Sequence, residues 1–498
     1  MNEIVSKINN LINEFLNGNK KIAYTKLKKI SLKYPNNEKL KFNLAFMEQS
    51  QGFKEKAKKS YFYLIKNYNN FNSKLNLYNI LLKEKNYIDS IKLIENILNI
   101  NNNLTDVWLD KAYIYLKLKN YEESKKICLK ILEKLKNNLK AFNLIGLCYL
   151  EEKEFLLSKE YFLKGLLIDN KNIPLLNSLA KLNYEEWKLD EAEKNYLKAY
   201  KINPKSYQTI NNLAGFYLET NNSIKAKEYF LIALKHKPNE PTILNNLSKA
   251  YMSLDNLELA KQFSKKSLKI NNSDSTKKTL SLIYLKEQNF QKAWEFFDGR
   301  LGLKDFVQKN ESYNLIKKKL LNKKKINPDK KLLIIREQGV GDELLYGTMY
   351  KSVIETFDNV IIEMDERLIS LFVNSFGNKY SNNFVKLGYY SHDKNKLKKI
   401  DQILYAGSLG YYFRRDIKDF PKKNYLNINE NIVRQTKKQL QSYSKKFKVG
   451  VSWKSFNNMY SNQKSLSLEK LINLFEIENI DFFNLQYGNV MEELKQFK

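Results

Sequence analysis

Proline and glycine are scarce, with seven and sixteen in 498 residues. An all-β protein needs more of both at its turns, so the chain reads as mostly helical. Cysteine is nearly absent. Cys128 and Cys148 fall at apolar positions of helical segments, which excludes a disulfide framework or a thiolate metal site and suits a reducing compartment. Histidine is as rare. His236 and His392 stand among scattered neighbours and cannot begin a multi-histidine centre, so no metal is expected, and His392 reads as a surface residue. No run approaches the ~18 apolar residues that span a bilayer. The polar segment Met1 to Asn10 lacks the apolar core of a signal peptide. A cytoplasmic location is expected. Acidic residues are in deficit, 54 against 86 Lys plus Arg, for a net charge of +32. Such a charge could attract nucleic acid or an anionic membrane. The excess, however, is lysine spread along the chain beside abundant Asn and Ile, which AT-rich codons alone would produce. No arginine stripe interleaved with aromatics appears, so nucleic acid is not the expected partner.

What the chain does have is a period. A small residue recurs at Ala23, Ala57, Ser90, Ser124, Ser158, Ala192, Ala226, Ala260 and Ala293, always 33 or 34 residues apart. Twelve residues before many of these lies a second small residue: Ala45, Ala112, Gly146, Ala180, Ala214, Ser248. Tyr115, Tyr149, Tyr217 and Tyr251 follow three residues later, and Pro35, Pro204 and Pro238 stand where a helix must stop. Two helices per repeat that cross closely need small side chains at the crossing, and each pair buries its apolar face only by stacking on the next. This pattern resembles the tetratricopeptide repeat over residues 1–300, with about nine repeats. The resemblance implies an α-solenoid whose concave groove takes a protein or peptide. Asn143, Asn177, Asn211 and Asn245 recur every 34 residues, with Asn212 and Asn246 beside the last two. A column of amides could hydrogen-bond the backbone of a bound chain. It could equally cap or bridge neighbouring repeats. The repeats of O-linked N-acetylglucosamine transferase look similar, with Asn-Asn-Leu-Ala at the phase of Asn211 to Ala214.

Residues 301–330 form a basic linker, with a helix possible from Glu311 to Leu321. From Lys331 the pattern changes to α/β. Strands are expected at Leu332–Ile335, Val360–Glu363, Phe384–Leu387, Gln402–Ala406, Phe447–Ser452 and Asp481–Gln486. Helices are expected from Asp342 through Phe357, at Glu366–Phe376, Leu468–Ile477 and Asn489–Phe497, and Pro421 begins a crossing segment. The alternation predicts parallel, Rossmann-like units at 331–430 and 446–498. The fold class is thus α followed by α/β.

The segments Glu337-Gln338-Gly339-Val340-Gly341-Asp342, Ser408-Leu409, Val449 to Trp453, Lys464-Ser465-Leu466 and Asn484 to Gly488 occur in an order that resembles bacterial tetratricopeptide proteins with a C-terminal glycosyltransferase-like domain. Those are related to O-linked N-acetylglucosamine transferases and, more distantly, heptosyltransferases. The resemblance implies a two-Rossmann fold of glycosyltransferase type B and an inverting transfer from a nucleotide sugar to a protein acceptor. It makes Asp342 a candidate base; the same residue also fits an N-cap. Glu337, Gln338, Gly339 and Gly341 would line the acceptor side. Ser452, Trp453, Lys454, Lys464 and Gln486 would face the donor, although Lys454 and Lys464 also read as solvated lysines. No cofactor beyond the nucleotide-sugar co-substrate is implied. The second unit is expected to be incomplete, because a full one needs further strands and no His-containing donor segment matches. The alternative function is a non-catalytic, repeat-based protein-interaction scaffold.

Overall fold

The computed structural model describes residues 2–302, 312–321, 323, 325–337, 339–455 and 465–495. The chain divides into two compact units, Met1–Pro204 and Lys205–Lys498. The first holds six antiparallel helix pairs. The second holds three more pairs and the α/β elements. Among the described residues, no helix is long and apolar enough to cross a membrane, and no group of three or more His, Cys, Asp or Glu could hold a metal ion.

The recurring small residues sit where paired helices cross. Ser124, Ser158, Ser248 and Ser281 each donate a hydroxyl hydrogen bond to a carbonyl of the facing helix, at Ala112, Gly146, Ala260 and Ala293, over 2.7–2.8 Å. Serine therefore replaces alanine without leaving a buried polar group unmatched. A Cβ on Gly146 would lie 2.4 Å from the Phe162 ring, so only glycine fits there. Asparagine has a local function as well. Asn86, Asn120, Asn222, Asn256 and Asn289 cap the second helices, and Asn37, Asn70, Asn138 and Asn172 cap first helices. Each side chain accepts from a backbone N–H three residues on, which stabilises a helix start by about 1 kcal/mol.

The turn inside each pair needs one left-handed residue. Gly18 and Gly52 supply it at no steric cost, whereas Lys85, Lys119, Lys153, Trp187, Asn221, Asp255 and Gln288 adopt it with φ of 57–69°. A Cβ in this region is unfavourable by about 1 kcal/mol. Lys119→Gly is therefore expected to stabilise the chain by roughly 0.5–1 kcal/mol after the entropy of glycine is counted. A thermal melt that fails to rise would show that this strain is relieved elsewhere.

In the second unit, β1 (Leu332–Ile335), β2 (Val360–Met364), β3 (Phe384–Lys386) and β4 (Gln402–Tyr405) form a parallel sheet in the order β3-β2-β1-β4. β1 is apolar at all four positions and buried at all four, as a central strand covered on both faces must be. Leu332 and Ile334 join a core with Tyr350, Val353 and Phe372 on one face. Leu333 and Ile335 join Ile316, Leu397 and Ile403 on the other. Ile316 belongs to the linker helix Tyr313–Lys319. That helix is held at its end by Lys319 Nζ, which donates to Leu397 O and Lys398 O over 3.1 and 3.0 Å. β5 (Phe447–Val451) and β6 (Ile480–Asn484) make a separate two-stranded parallel sheet.

Two details differ from expectation. The helix expected from Asp342 through Phe357 is two helices, Val340–Gly347 and Tyr350–Thr356. Arg414 Nη2 takes the Thr348 carbonyl over 2.7 Å, and that carbonyl is lost to the helical ladder. A 14-residue helix, Glu430–Tyr443, begins at Asn429 in the region where only a crossing segment was expected.

Candidate functional site

In the order β3-β2-β1-β4, successive strands move outward from β1 and then jump across it to β4. The carboxyl ends of β1 and β4 therefore flank a topological switch point, where open α/β sheets bind their ligands. The glycine turn leaves β1 there, and Ser408 follows β4.

The protein places its own guanidinium between them. Arg300 lies in a 3₁₀ turn, Asp298–Gly302, just after the last repeat helix. It is only 2% exposed. Its Nε and Nη2 donate to Glu337 Oε2 and Oε1, both over 2.7 Å. Nη2 also donates to Ser408 Oγ at 2.9 Å, and Nη1 to Asp298 Oδ1 at 2.9 Å. Ser408 Oγ in turn donates to Asp298 Oδ1 over 2.8 Å, and the Gly407 N–H donates to Glu337 Oε1. Burial alone would lower the Arg300 pKa; the adjoining Glu337 carboxylate outweighs it and holds the group charged. The planar fork suits this arrangement, which a lysine could not reproduce. Beside it, the Trp294 indole N–H donates to Arg414 O over 2.5 Å. The indole lies so close to Gly410 that a Cβ there would sit 2.6 Å from the ring.

The neighbouring charges are also paired. Arg336 lies 2.9 Å from both Glu343 Oε2 and Asp365 Oδ2. Burial pushes the Glu343 carboxyl up, while the Arg367 side-chain hydrogen bond holds Asp365 well below the usual carboxylate range. Glu363 is buried and accepts from the Gly388, Tyr390 and Ser391 N–H groups over 2.6–3.3 Å.

Glu337, expected on an acceptor surface, therefore sits in a buried ion pair. Asp342 Oδ2 accepts the Gly339 N–H over 3.3 Å, at the start of its own helix. Among the described residues, a Cβ on Gly341 would meet nothing within 4 Å, and one on Gly339 only the Asp342 carboxylate at 3.9 Å. Gln338 lies outside the described residues, as does Lys464. The structure does bring Ser452, Trp453, Lys454 and Gln486 together at the carboxyl end of the small sheet. Gln486 Oε1 accepts from Ser452 Oγ and from the Trp453 and Lys454 N–H groups over 2.7–3.1 Å. Its Nε2 donates to Lys454 O over 2.9 Å. Lys454 Nζ pairs with Glu493 over 2.8 Å.

The amide column falls in both units. In the first, Asn143 lines a cavity of about 360 Å³ with Asp110, Tyr113, Lys140 and Asn172. Asn143 Oδ1 and Asn177 Oδ1 are buried without a hydrogen-bond partner among the described residues. In the second, Asn246 Nδ2 donates to Asn211 Oδ1 over 3.3 Å and Asn245 Nδ2 to Ser275 Oγ over 3.2 Å, so these amides bridge successive repeats. Asn212 is exposed.

Sequence reasoning missed Arg300. A signal was present: the chain has only six arginines, all from residue 300 onward, among 86 cationic side chains. In a chain that otherwise uses lysine, each arginine marks a place where fork geometry is worth testing.

The tetratricopeptide repeat family model matches residues 105–133, 139–172 and 241–274, which are the fourth, fifth and eighth helix pairs. A curated relative, Protein FlbA of Caulobacter vibrioides, is 27% identical over 176 residues, 33% of this chain and 30% of FlbA. The match thus spans about three-tenths of that relative. Among solved structures, a Pseudomonas aeruginosa pilF chain is 21% identical with TM-score 0.34, covering 41% of this chain and 94% of pilF. A tetratricopeptide repeat protein from Parabacteroides merdae is 16% identical with TM-score 0.40, covering 49% and 98%. The N-terminal region thus carries tetratricopeptide repeats.

Proposed function

We propose that the chain is a protein-interaction scaffold whose first repeat helices hold an extended segment of a partner. The cavity at Asn143 carries this reading. It opens on the first helices of consecutive repeats and offers an amide, a carboxylate, an ammonium and a tyrosine to a peptide backbone. Burial pushes the Asp110 carboxyl up, and Tyr78 Oη donates to it over 3.3 Å. The test is the double variant Asn143→Ala/Asn177→Ala, scored on an array of immobilised unstructured peptides. Peptides that bind the parent should weaken about tenfold, as expected for the loss of one or two hydrogen bonds. Equal binding by parent and variant sinks the reading.

Glycosyl transfer is the second reading. It is supported by the parallel strand order and, among the described residues, the space beside Gly339 and Gly341, where a ligand can approach the backbone. Arg300, which fills the adjoining switch point, weighs against it. In this reading Asp342 would be the base, with Ser452, Trp453 and Lys454 toward the donor. Calorimetry with uridine diphosphate separates the two. The scaffold reading expects no heat of binding; saturable binding together with sugar transfer lost in Asp342→Asn would reverse the preference.

A further inference from the structure

The fourth repeat departs from a pattern that most of the others share. The residue before the second small position is Leu44, Leu77, Ile145, Leu179, Leu213, Leu247 and Leu280 in repeats two, three and five to nine, but Lys111 in the fourth and Asn10 in the first. Most of those aliphatic residues are fully buried in the core. A ring pair present in repeats five, seven, eight and nine is half complete in the same repeat. Tyr149, Tyr217, Tyr251 and Tyr284 each stack on a ring of the following helix, at Tyr161, Tyr229, Phe263 and Phe296, with centroids 5.5–6.1 Å apart. Tyr115 occupies the same position, and the residue facing it is Ile127.

A cleft of about 730 Å³ opens where these two departures meet. Trp108, Tyr115, Ile127 and Ile131 form its floor. Lys111 Nζ lies 5.5 and 5.8 Å from the Trp108 and Tyr115 ring centroids and pairs with Glu95 over 3.2 Å. Lys126, Lys130 and Lys134 line one wall at four-residue spacing, which places them along one side of their helix. Lys126 faces Glu123 at 3.8 Å. Lys130 and Lys134 have no ion-pair partner among the described residues.

The geometry points to this cleft as a docking site for an acidic peptide segment with an aromatic anchor, whose ring takes the place of the missing partner of Tyr115. Charge complementarity selects the occupant. Four lysines against Glu123 and Glu133 favour a segment of separated carboxylates. The two glutamates would repel the continuous phosphates of a nucleic acid. The inference rests on the scaffold reading and names a partner class for it, but at a different surface. At 100° per residue, Trp108, Lys111 and Tyr115 project opposite to Asp110 and Tyr113, which line the Asn143 cavity.

The test uses the full chain and a fluorescein-labelled seven-residue peptide, six Asp or Glu around a central Phe. Controls are the same peptide with central Ala and a single-stranded oligouridylate. Binding should be saturable, should fall at least tenfold with the Ala peptide, and should weaken with salt. Ile127→Tyr installs the ring pair of repeats five, seven, eight and nine, and Lys111→Leu installs the aliphatic residue of repeats two, three and five to nine. Each should abolish binding while the thermal midpoint holds or rises. Lys130→Glu/Lys134→Glu, at exposed positions, should weaken binding tenfold or more. Equal binding of the Phe and Ala peptides, unchanged affinity in Ile127→Tyr, or tighter cleft-dependent binding of the oligouridylate would each overturn the proposal. The Asn143→Ala/Asn177→Ala variant should leave this peptide's affinity unchanged, so failure here and failure of the Asn143 surface are separate outcomes.

Discussion

Arg300→Met is expected to destabilise the Lys205–Lys498 unit by about 3–5 kcal/mol, the usual effect of removing one partner from a buried ion pair. The reason is what remains. Glu337 would keep a carboxylate that is 4% exposed, answered among the described residues by the Gly407 N–H. Ser408 and Asp298 would each lose a donor. Methionine fills most of the volume, so the loss reports on charge more than on a cavity. Glu337→Gln on its own should be milder, because glutamine still accepts from Gly407 and Arg300. The double variant Arg300→Met/Glu337→Leu should recover part of the loss but not all, since the Gly407 N–H is then unmatched. Urea unfolding of the full chain, followed by tryptophan fluorescence, measures all three. A single variant within 1 kcal/mol of the parent would show that water reaches the pair, contrary to its burial.

The ion pair also bears on function. An α/β sheet that bound a phosphate or nucleotide at the β1–β4 switch point would keep its cation accessible there. Here the cation comes from the end of the repeat array and is saturated by Glu337, Asp298 and Ser408. The arrangement joins the last repeat to the sheet and commits this cation to the protein's own side chains.

How much of this was legible in the sequence follows from the range of the interactions. The repeats were legible because one crossing geometry imposes a small residue every 33 or 34 positions, from Ala23 to Ala293. β1 was legible because Leu332 to Ile335 is buried on both faces and must be apolar throughout. The Arg300–Glu337 pair spans 37 residues, and its third member, Ser408, is 108 from Arg300. No local period links these positions; only the sheet topology brings them together. The expected role of Glu337 had the same weakness. A motif fixes which residue follows a strand, but the element packed against the strand decides whether its carboxylate meets a substrate or an arginine. The amide column was ambiguous for a related reason. Spacing alone cannot separate Asn143, which lines a cavity, from Asn211, which accepts from Asn246 of the next repeat.

Trp294→Ala should cost about 3–5 kcal/mol, the range for deleting a large buried aromatic. Trp294 is 8% exposed and meets Phe297 edge-on with centroids 5.0 Å apart. Its ring fills the space against Gly410 and its N–H answers the Arg414 carbonyl. The more informative readout is cooperativity. With Arg300 and Trp294 intact, the ninth repeat is tied to the four-stranded sheet, and the Lys205–Lys498 unit should unfold as one. Without the indole, the sheet loses an anchor that the ion pair alone does not replace. Hydrogen exchange of the Leu332–Ile335 amides should then rise toward the rate of local opening while the Tyr207–Glu219 helix stays protected. Uniform loss of protection across both would mean that the repeats depend on the sheet for their stability. Such a result would make the α/β part a cap that completes the array, the role terminal elements play in other repeat proteins.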